Sequence, residues 1–455
     1  MRLSTPLPRR AGSRLNASQL IVLGYLGFIL LGTLLLMLPL SHVPGPRPWI
    51  DDLFFAASAV TTTGLAPGDV VDRYTFFGQG VLMLLIQLGG LGYMTFFTLT
   101  MILIGQRISL RDRLNIQEGL EQPGMAGLVR FVLHIVAFSL SVELVSGFLL
   151  AWTMVPEFGW RKGLVMTIFH VVGAFNNAGF PFLPEGAMHW QRNAGVLLVL
   201  ACTTVIGGLG FNVNRELVRR YVLRRPPRQR WNVLIGIVLG LTAALLVIAT
   251  AVIWGAEARN PRTLGPLPSS LQAANAFFMA VQPRSCGFNS VDVGAMTRPS
   301  LLLMLALMFI GAGPGSTGSG IKLTTLAVTA AGVQGVLQGR TEISLDYFKR
   351  RLDAHLVRKA FAVVLLSLAV VAFATLFVAS IEPLPFLPLL FEVISAFGNA
   401  GLSMGITGQL GTPSKLILVL TMLVGRVGMI TAMLSLFPSR RHSAVRYVEE
   451  PLLIG

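Results

Sequence analysis

The 455 residues would make roughly two or three soluble domains by length, but 53% of them are hydrophobic, only 12% are charged, and the mean hydropathy is +0.70. A soluble domain carries roughly 25% charged residues, so most of this surface faces lipid, and disordered, collagenous and disulfide-built classes are excluded. The net charge of +16 has no soluble basic domain behind it, which argues against nucleic acid, and Cys202 and Cys286 lie in separate segments that offer neither bridge nor zinc site.

The first apolar run, 20–40, exceeds the roughly 7–15-residue core of a signal peptide and lacks a small-residue cleavage site, so it is predicted to be a retained span. Further long runs follow at 75–104, 126–154, 193–214, 231–254, 300–338, 356–381 and 413–437, giving eight candidate spans. Between each odd and even span lies a shorter apolar stretch, at 50–60, 165–175, 270–281 and 386–397. Such stretches are too short for a hydrocarbon core about 30 Å thick and are predicted to be re-entrant half-helices.

Basic residues cluster at Arg2/Arg9/Arg10/Arg14, Arg107/Arg111/Arg113, Arg215 to Arg230, Lys349 to Lys359 and beyond Arg440. Cytoplasmic loops of membrane proteins carry the excess of Lys and Arg. Both termini are therefore expected inside, and all four short stretches open outward. The sequon Asn16-Ala17-Ser18 then lies on the cytoplasmic side and carries no meaning.

The short stretches repeat a signature. Each runs into a glycine followed by Leu or Phe: SAVTTTGL (58–65), GAFNNAGF (173–180), VQPRSCGF (281–288) and SAFGNAGL (395–402). The glycines Gly64, Gly179, Gly287 and Gly401 are 115, 108 and 114 residues apart, and ten positions before each stands Phe54, Phe169, Phe277 or Phe391. These phenylalanines suit lipid-facing or interhelix packing. A second glycine-rich patch follows inside the next span: GGLG (89–92), GGLG (207–210), GAGPGSTGSG (311–320) and GRVG (425–428).

The expected fold is an all-α polytopic membrane protein of four parallel repeats, each span, half-helix, filter loop and span, around a pseudo-fourfold pore. The repeats occupy 18–110, 111–222, 223–340 and 341–438, with tails at 1–17 and 439–455. Four half-helices would aim their C-terminal carbonyls, each end bearing about half a negative charge, at one axis. Non-helical backbone at that depth is tolerated where it lines an aqueous path. Carbonyl rings that replace a hydration shell are how potassium filters work.

TTTGL, NNAGF, RSCGF and GNAGL resemble the four filter loops of the Trk/Ktr/HKT superfamily of potassium-uptake proteins, and the chain resembles its KtrB branch over essentially its whole length. Eight spans and the ending RYVEEPLLIG (446–455) are similar to that branch. The resemblance implies potassium uptake across the bacterial plasma membrane, activation by sodium, and a homodimer on a KtrA/TrkA-type cytoplasmic ring. Nucleotide is expected on that ring only, with no cofactor in this chain. The basic loops 215–230 and 340–359 suit docking of the ring or anionic lipid headgroups.

The expected filter residues are Thr62, Thr63 and Gly64; Asn177, Ala178 and Gly179; Ser285, Cys286 and Gly287; Asn399, Ala400 and Gly401. Only glycine recurs in all four, so one well-defined potassium site is expected at that level. Cys286 reads as a small filler beside it more readily than as a redox sensor. The patch Gly311, Ala312, Gly313, Pro314, Gly315, Ser316, Thr317, Gly318, Ser319 and Gly320 contains a G-x-G-x-x-G, but without the βαβ context of a dinucleotide site. It reads either as a Pro-kinked span or, as the resemblance implies, as an intramembrane gate loop.

Arg426 lies mid-span, where a charge must face a cavity or a partner. The resemblance implies a pore latch, and an ion pair elsewhere is the alternative. Lys322 is a weaker candidate that could snorkel inward. Glu143 and His134, nine residues apart on one helix face, suit either a proton relay or a hydrogen-bonded buried carboxylate. Glu392 would anchor its half-helix or lend negative potential.

The competing classes are a sodium-permeable pathway, a sodium- or proton-coupled symporter of the same superfamily, an inverted-repeat carrier and a membrane enzyme. Glycine at all four filter positions favours potassium, the parallel repeats oppose an inverted-repeat carrier, and no hydrolase or metalloprotease motif supports an enzyme.

Overall fold

The computed structural model describes residues 16–45, 48–104, 117, 127–183, 186–224, 233–340, 342–345 and 350–436. The basic clusters at 2–14, 107–113 and beyond Arg440, all of 225–230, Lys349 and the ending 446–455 lie outside the described residues.

The chain folds as helices. Four are long and apolar enough to cross a bilayer: Ser18–Leu36, Leu128–Phe158, Val233–Glu257 and Ala354–Ile381. Between 22% and 33% of each apolar window is buried, so most of it needs an apolar surrounding. Leu144, Phe148 and Trp152, spaced one helical turn apart, form a bare ridge more than two-thirds exposed. These are the features of a multi-pass membrane protein.

The short stretches fold as helices Trp49–Val60, Trp160–Asn176, Ser269–Val281 and Phe386–Gly398. They form the core, and Phe54, Phe169 and Phe391 are fully buried. In the third, the expected Phe277 is only half-buried and its neighbour Phe278 takes the buried place. None of the four faces lipid as a bare side chain.

Each helix that follows a short helix packs against the next short helix. Phe76–Leu91 meets Trp160–Asn176, Ala194–Leu209 meets Ser269–Val281, and Arg298–Phe309 meets Phe386–Gly398. Thr412–Val427 returns to Trp49–Val60, which closes the set on itself.

The even-numbered apolar runs depart from the expected continuous spans. Phe76–Leu91 is followed by a helix at about 90°, and Ala194–Leu209 and Thr412–Val427 by helices at 107°. The breaks fall at Gly92, Gly210 and Gly428, with φ of 81°, 96° and 87°, a backbone that residues with a Cβ rarely adopt. The run at 300–338 is two helices, Arg298–Phe309 and Leu323–Leu337, separated by the glycine-rich loop. In the segment after it, Ser344–Leu345 pairs antiparallel with Arg350–Arg351, a hairpin the hydropathy pattern did not announce.

Candidate functional site

Each short helix ends in a backbone reversal. Thr62, Asn177, Ser285 and Asn399 have φ of 54°, 58°, 86° and 48°. They are the residues two before each signature glycine. Asn adopts this left-handed conformation readily, whereas for Thr62 and Ser285 it stores strain. The reversal turns the following N–H back onto the helix: Thr63 N donates to Ser58 O at 2.7 Å, Ala178 N to Gly173 O at 2.7 Å, and Ala400 N to Ser395 O at 2.8 Å. Cys286 N likewise donates to Gln282 O at 3.0 Å.

The reversals bring the four glycines together. A Cβ on Gly64 would lie 2.9 Å from the nitrogen of Gly179; on Gly179, 2.5 Å from that of Phe288; on Gly287, 2.7 Å from Gly401 Cα; and on Gly401, 3.1 Å from Gly287 Cα and 3.2 Å from Cys286 O. Every one of these neighbours is backbone from another segment, so no side chain fits at this level. Gly64, Gly287 and Gly401 also have positive φ, while Gly179 is required by the close approach alone.

Behind the glycines the side chains knit the segments. Asn399 Nδ2 donates to Thr63 Oγ1 at 2.7 Å, and Ser285 Oγ donates to Gly398 O at 3.1 Å. Cys286 is fully buried with Thr204 Oγ1 at 3.4 Å from its sulfur, so its side chain packs outward against the Ala194–Leu209 helix. Ala178 and Ala400 are also fully buried.

One side of the glycines opens into a cavity of about 400 Å³ lined by Gly64, Gly179, Gly287 and Gly401 and by Asp69, Asp292 and Thr407. At this mouth, burial and then the neighbouring Asp72 push the Asp69 carboxyl above its ordinary range, against the pull of Arg73.

The opposite side is closed by the 310–322 segment. Ser319 N donates to Ser285 Oγ at 3.1 Å, Thr62 Oγ1 to Thr317 O at 3.5 Å, and Thr317 Oγ1 to Phe175 O at 3.0 Å. Gly313 N donates to Gly208 O at 2.9 Å, and Phe211 N to Gly315 O at 2.9 Å. Gly311, Ala312, Gly313, Gly318 and Gly320 are packed within it, and Ser316 Oγ closes the turn onto Gly313 O at 2.7 Å. The segment is therefore a pinned loop and not a kinked span.

Arg426 holds this loop. Its Nη1 donates to Thr317 O and, at 3.2 Å, contacts Ser319 Oγ; its Nη2 donates to Gly89 O and, at 3.3 Å, to Gly90 O. Its partners are carbonyls of two glycine patches, not an ion pair elsewhere in the bundle. Lys322 does not snorkel away: its Nζ donates to Gly318 O at 3.0 Å. Both line a cavity of about 110 Å³ beyond the loop.

The other singled-out residues fall elsewhere. Glu143 accepts from Gln87 Nε2 at 3.4 Å and Asn176 Nδ2 at 3.3 Å, bracing the end of the second short helix. His134 instead stacks on Phe138. Glu392 is buried and accepts from Thr407 Oγ1, so it anchors the strand of loop at the mouth.

Sequence reasoning missed a buried charge cluster. Asp51 accepts from Lys415 Nζ at 2.7 Å and Arg73 Nη1 at 2.6 Å, while Asp52 takes Tyr74 OH at 2.8 Å and His42 Nε2 at 3.2 Å. The signal was there: two acids in the first turn of a helix, favoured by its dipole, and a lysine opening the last apolar run.

The model of the TrkH family, described as cation transport protein, matches residues 16–443. The Ktr system potassium uptake protein B of Bacillus subtilis (strain 168) is 39% identical over 442 residues, 97% of each chain. The protein of the same description from Vibrio alginolyticus is 35% identical over 450 residues, covering 99% of this chain and 97% of that one. The potassium transporter TrkH from Vibrio parahaemolyticus has the same fold, with a TM-score of 0.72 over 95% of this chain and 87% of that chain at 17% identity. The chain belongs to the TrkH family of cation transport proteins and is a membrane transporter, not an enzyme.

Proposed function

We propose that the protein takes up potassium ions across the bacterial plasma membrane through one pore, formed where the units 18–110, 111–222, 223–340 and 341–438 meet around a pseudo-fourfold axis. Each unit supplies two membrane-crossing segments and one half-helix, eight crossings in all, with both termini cytoplasmic. The observation that carries this reading is the meeting of Gly64, Gly179, Gly287 and Gly401 at the ends of four short helices, each too close to foreign backbone for any Cβ.

Potassium enters the 400 Å³ mouth, where Asp69 contributes negative charge. It sheds water for carbonyl oxygens around Thr62, Thr63 and Gly64 and the corresponding residues of the other three segments. The four helix C-termini stabilise the cation without a buried carboxylate on the axis. Below the ring, the loop 311–320 obstructs the path and Arg426 holds it shut by its bonds to loop and neighbouring-patch carbonyls. Opening requires those bonds to break. The potassium reading is supported by the names of the relatives at 39% and 35% identity. Their description as parts of a Ktr system supports a regulatory partner, here a KtrA/TrkA-type ring that binds the nucleotide, with the chain as a homodimer and sodium as activator.

The test is potassium uptake in cells lacking their own potassium systems, with and without sodium and with and without a co-expressed regulatory ring. Growth rescue at low potassium, faster with sodium, is the expected result. No rescue even with the ring present would sink potassium as the substrate.

A further inference from the structure

One costly group has no part in the pathway above. Arg284 immediately precedes Ser285, is only 8% exposed, and has no ion pair among the described residues. Its Nη2 reaches Thr242 Oγ1 at a long 3.4 Å, and its buried Nε has no hydrogen-bond partner. The crevice it lines, between Thr204, Leu246, Val281 and Ala312, has a volume of about 10 Å³. That admits a single water molecule at most, so neither a hydration shell nor a counter-anion fits. Guanidinium stays charged under all physiological conditions, and an uncompensated charge within the membrane is expensive.

The C-terminal end of the Ser269–Val281 helix lies three residues before Arg284, and its last residue, Val281, lines the same crevice. That end carries partial negative charge. It is the same potential that the third unit offers to an ion at Gly287. A fixed cation there competes with the transported one.

We propose that Arg284 sets the potassium affinity of the pore: its charge takes up the negative potential of the third half-helix and weakens ion binding at the glycine ring, so that bound ions leave readily. This rests on the potassium reading. It also breaks the equivalence of the four quarters, because the corresponding positions Thr61, Asn176 and Gly398 are uncharged.

The experiment is the potassium dependence of uptake in cells lacking their own potassium systems, for wild type, Arg284→Met, Arg284→Lys and Thr242→Val at matched abundance. Saturable wild-type uptake is established first, and its absence would refute the potassium reading, not this one. Removing the charge in Arg284→Met is expected to lower the half-saturating potassium concentration by the order of five- to ten-fold, the size of a screened interaction between unit charges. Arg284→Lys and Thr242→Val keep the charge and stay within about two-fold. A merely bracing residue predicts the reverse, with Thr242→Val sharing the defect of Arg284→Met. An unchanged or raised half-saturation in Arg284→Met overturns the proposal.

Where Arg284→Met does not accumulate, purified Arg284→Gln is read by the potassium concentration needed to raise its melting temperature. A lower concentration than wild type supports the proposal, and an equal or higher one overturns it. Failure of both neutral variants to accumulate, where Arg284→Lys does, also overturns it, because the charge would then serve folding.

Discussion

Gly287→Ser tests the glycine ring most directly. A Cβ at this position would lie 2.7 Å from Ala400 O and 2.7 Å from Gly401 Cα, both backbone of the fourth segment, and its φ is +97°. A non-glycine residue in such a conformation costs about 1–3 kcal/mol, and forcing atoms into packed backbone costs about 1–3 kcal/mol more. The neighbour must move, since no flexible side chain is there to yield. Together these come to about 2–6 kcal/mol, and every 1.4 kcal/mol is a factor of about ten in an equilibrium, so the native ring geometry falls to a minor population even at the low end. The assay is uptake of potassium and of sodium in cells lacking their own potassium systems, with Gly240→Ser as control. Gly240 has nothing within 4 Å of its would-be Cβ and no left-handed backbone. Gly287→Ser is expected to weaken potassium uptake at low concentration by at least ten-fold and to admit sodium, while Gly240→Ser behaves as wild type. Unchanged potassium affinity and no sodium flux in Gly287→Ser, at wild-type abundance, would refute the placement of the filter.

Three more outcomes are expected. Arg426→Gln loses charge-assisted bonds to the Thr317 and Gly89 carbonyls, each worth about 1.5–3 kcal/mol; maximal uptake should rise several-fold and depend less on the regulatory ring, and a fall in rate would count against the latch. Lys415→Met removes the buried one of the two cations that pair with Asp51, which costs about 3–5 kcal/mol; the melting temperature in detergent should drop by several degrees, with partial recovery when Asp51→Asn is added. Burial and then Asp72 raise the pKa of the Asp69 carboxyl, so its negative charge at the mouth is lost earlier, as pH falls, than that of an ordinary aspartate. The half-saturating potassium concentration of wild type should therefore rise on acidification, whereas Asp69→Asn starts higher and responds less; identical pH profiles would remove Asp69 from the mouth's electrostatics.

The landmarks legible in the sequence are those that repetition amplifies. The short helices begin and end within a residue of the apolar stretches in three cases; the second starts at Trp160, five residues early, because Trp160, Arg161 and Lys162 dilute the hydropathy of its first turn. The signature glycines were legible for a related reason. Their requirement comes from close approach of foreign backbone, and four such approaches leave four glycines at one spacing. The bends at Gly92, Gly210 and Gly428 were not, since hydropathy registers how apolar a run is and not which way it points. The left-handed Thr62, Asn177, Ser285 and Asn399 were hidden because only the two asparagines advertise that conformation. Asp51 and Lys415 are 364 residues apart, and no local pattern pairs them.

On the proposed function, the same contacts link gate to filter. Ser285 Oγ donates to Gly398 O of the fourth unit and accepts from Ser319 N of the loop, and Thr62 Oγ1 donates to Thr317 O. Arg426 reaches the same Thr317 carbonyl. On the proposed reading, a loop that swings aside breaks the bonds from Ser319 N and to Thr317 O at once, and each freed N–H and C=O must find water, because buried backbone groups do not stay unpaired. Opening therefore wets the underside of the ring, frees the Thr62 hydroxyl and leaves Ser285 with only its bond to Gly398 O. Their left-handed backbone, held against strain only while the surroundings over-determine it, then has fewer constraints. The third and first quarters should loosen when the gate opens, while Asn177 and Asn399, in a conformation native to asparagine, keep theirs. On this proposed reading, gate opening and filter stiffness are coupled through two hydroxyls, and the coupling is unequal among the four quarters.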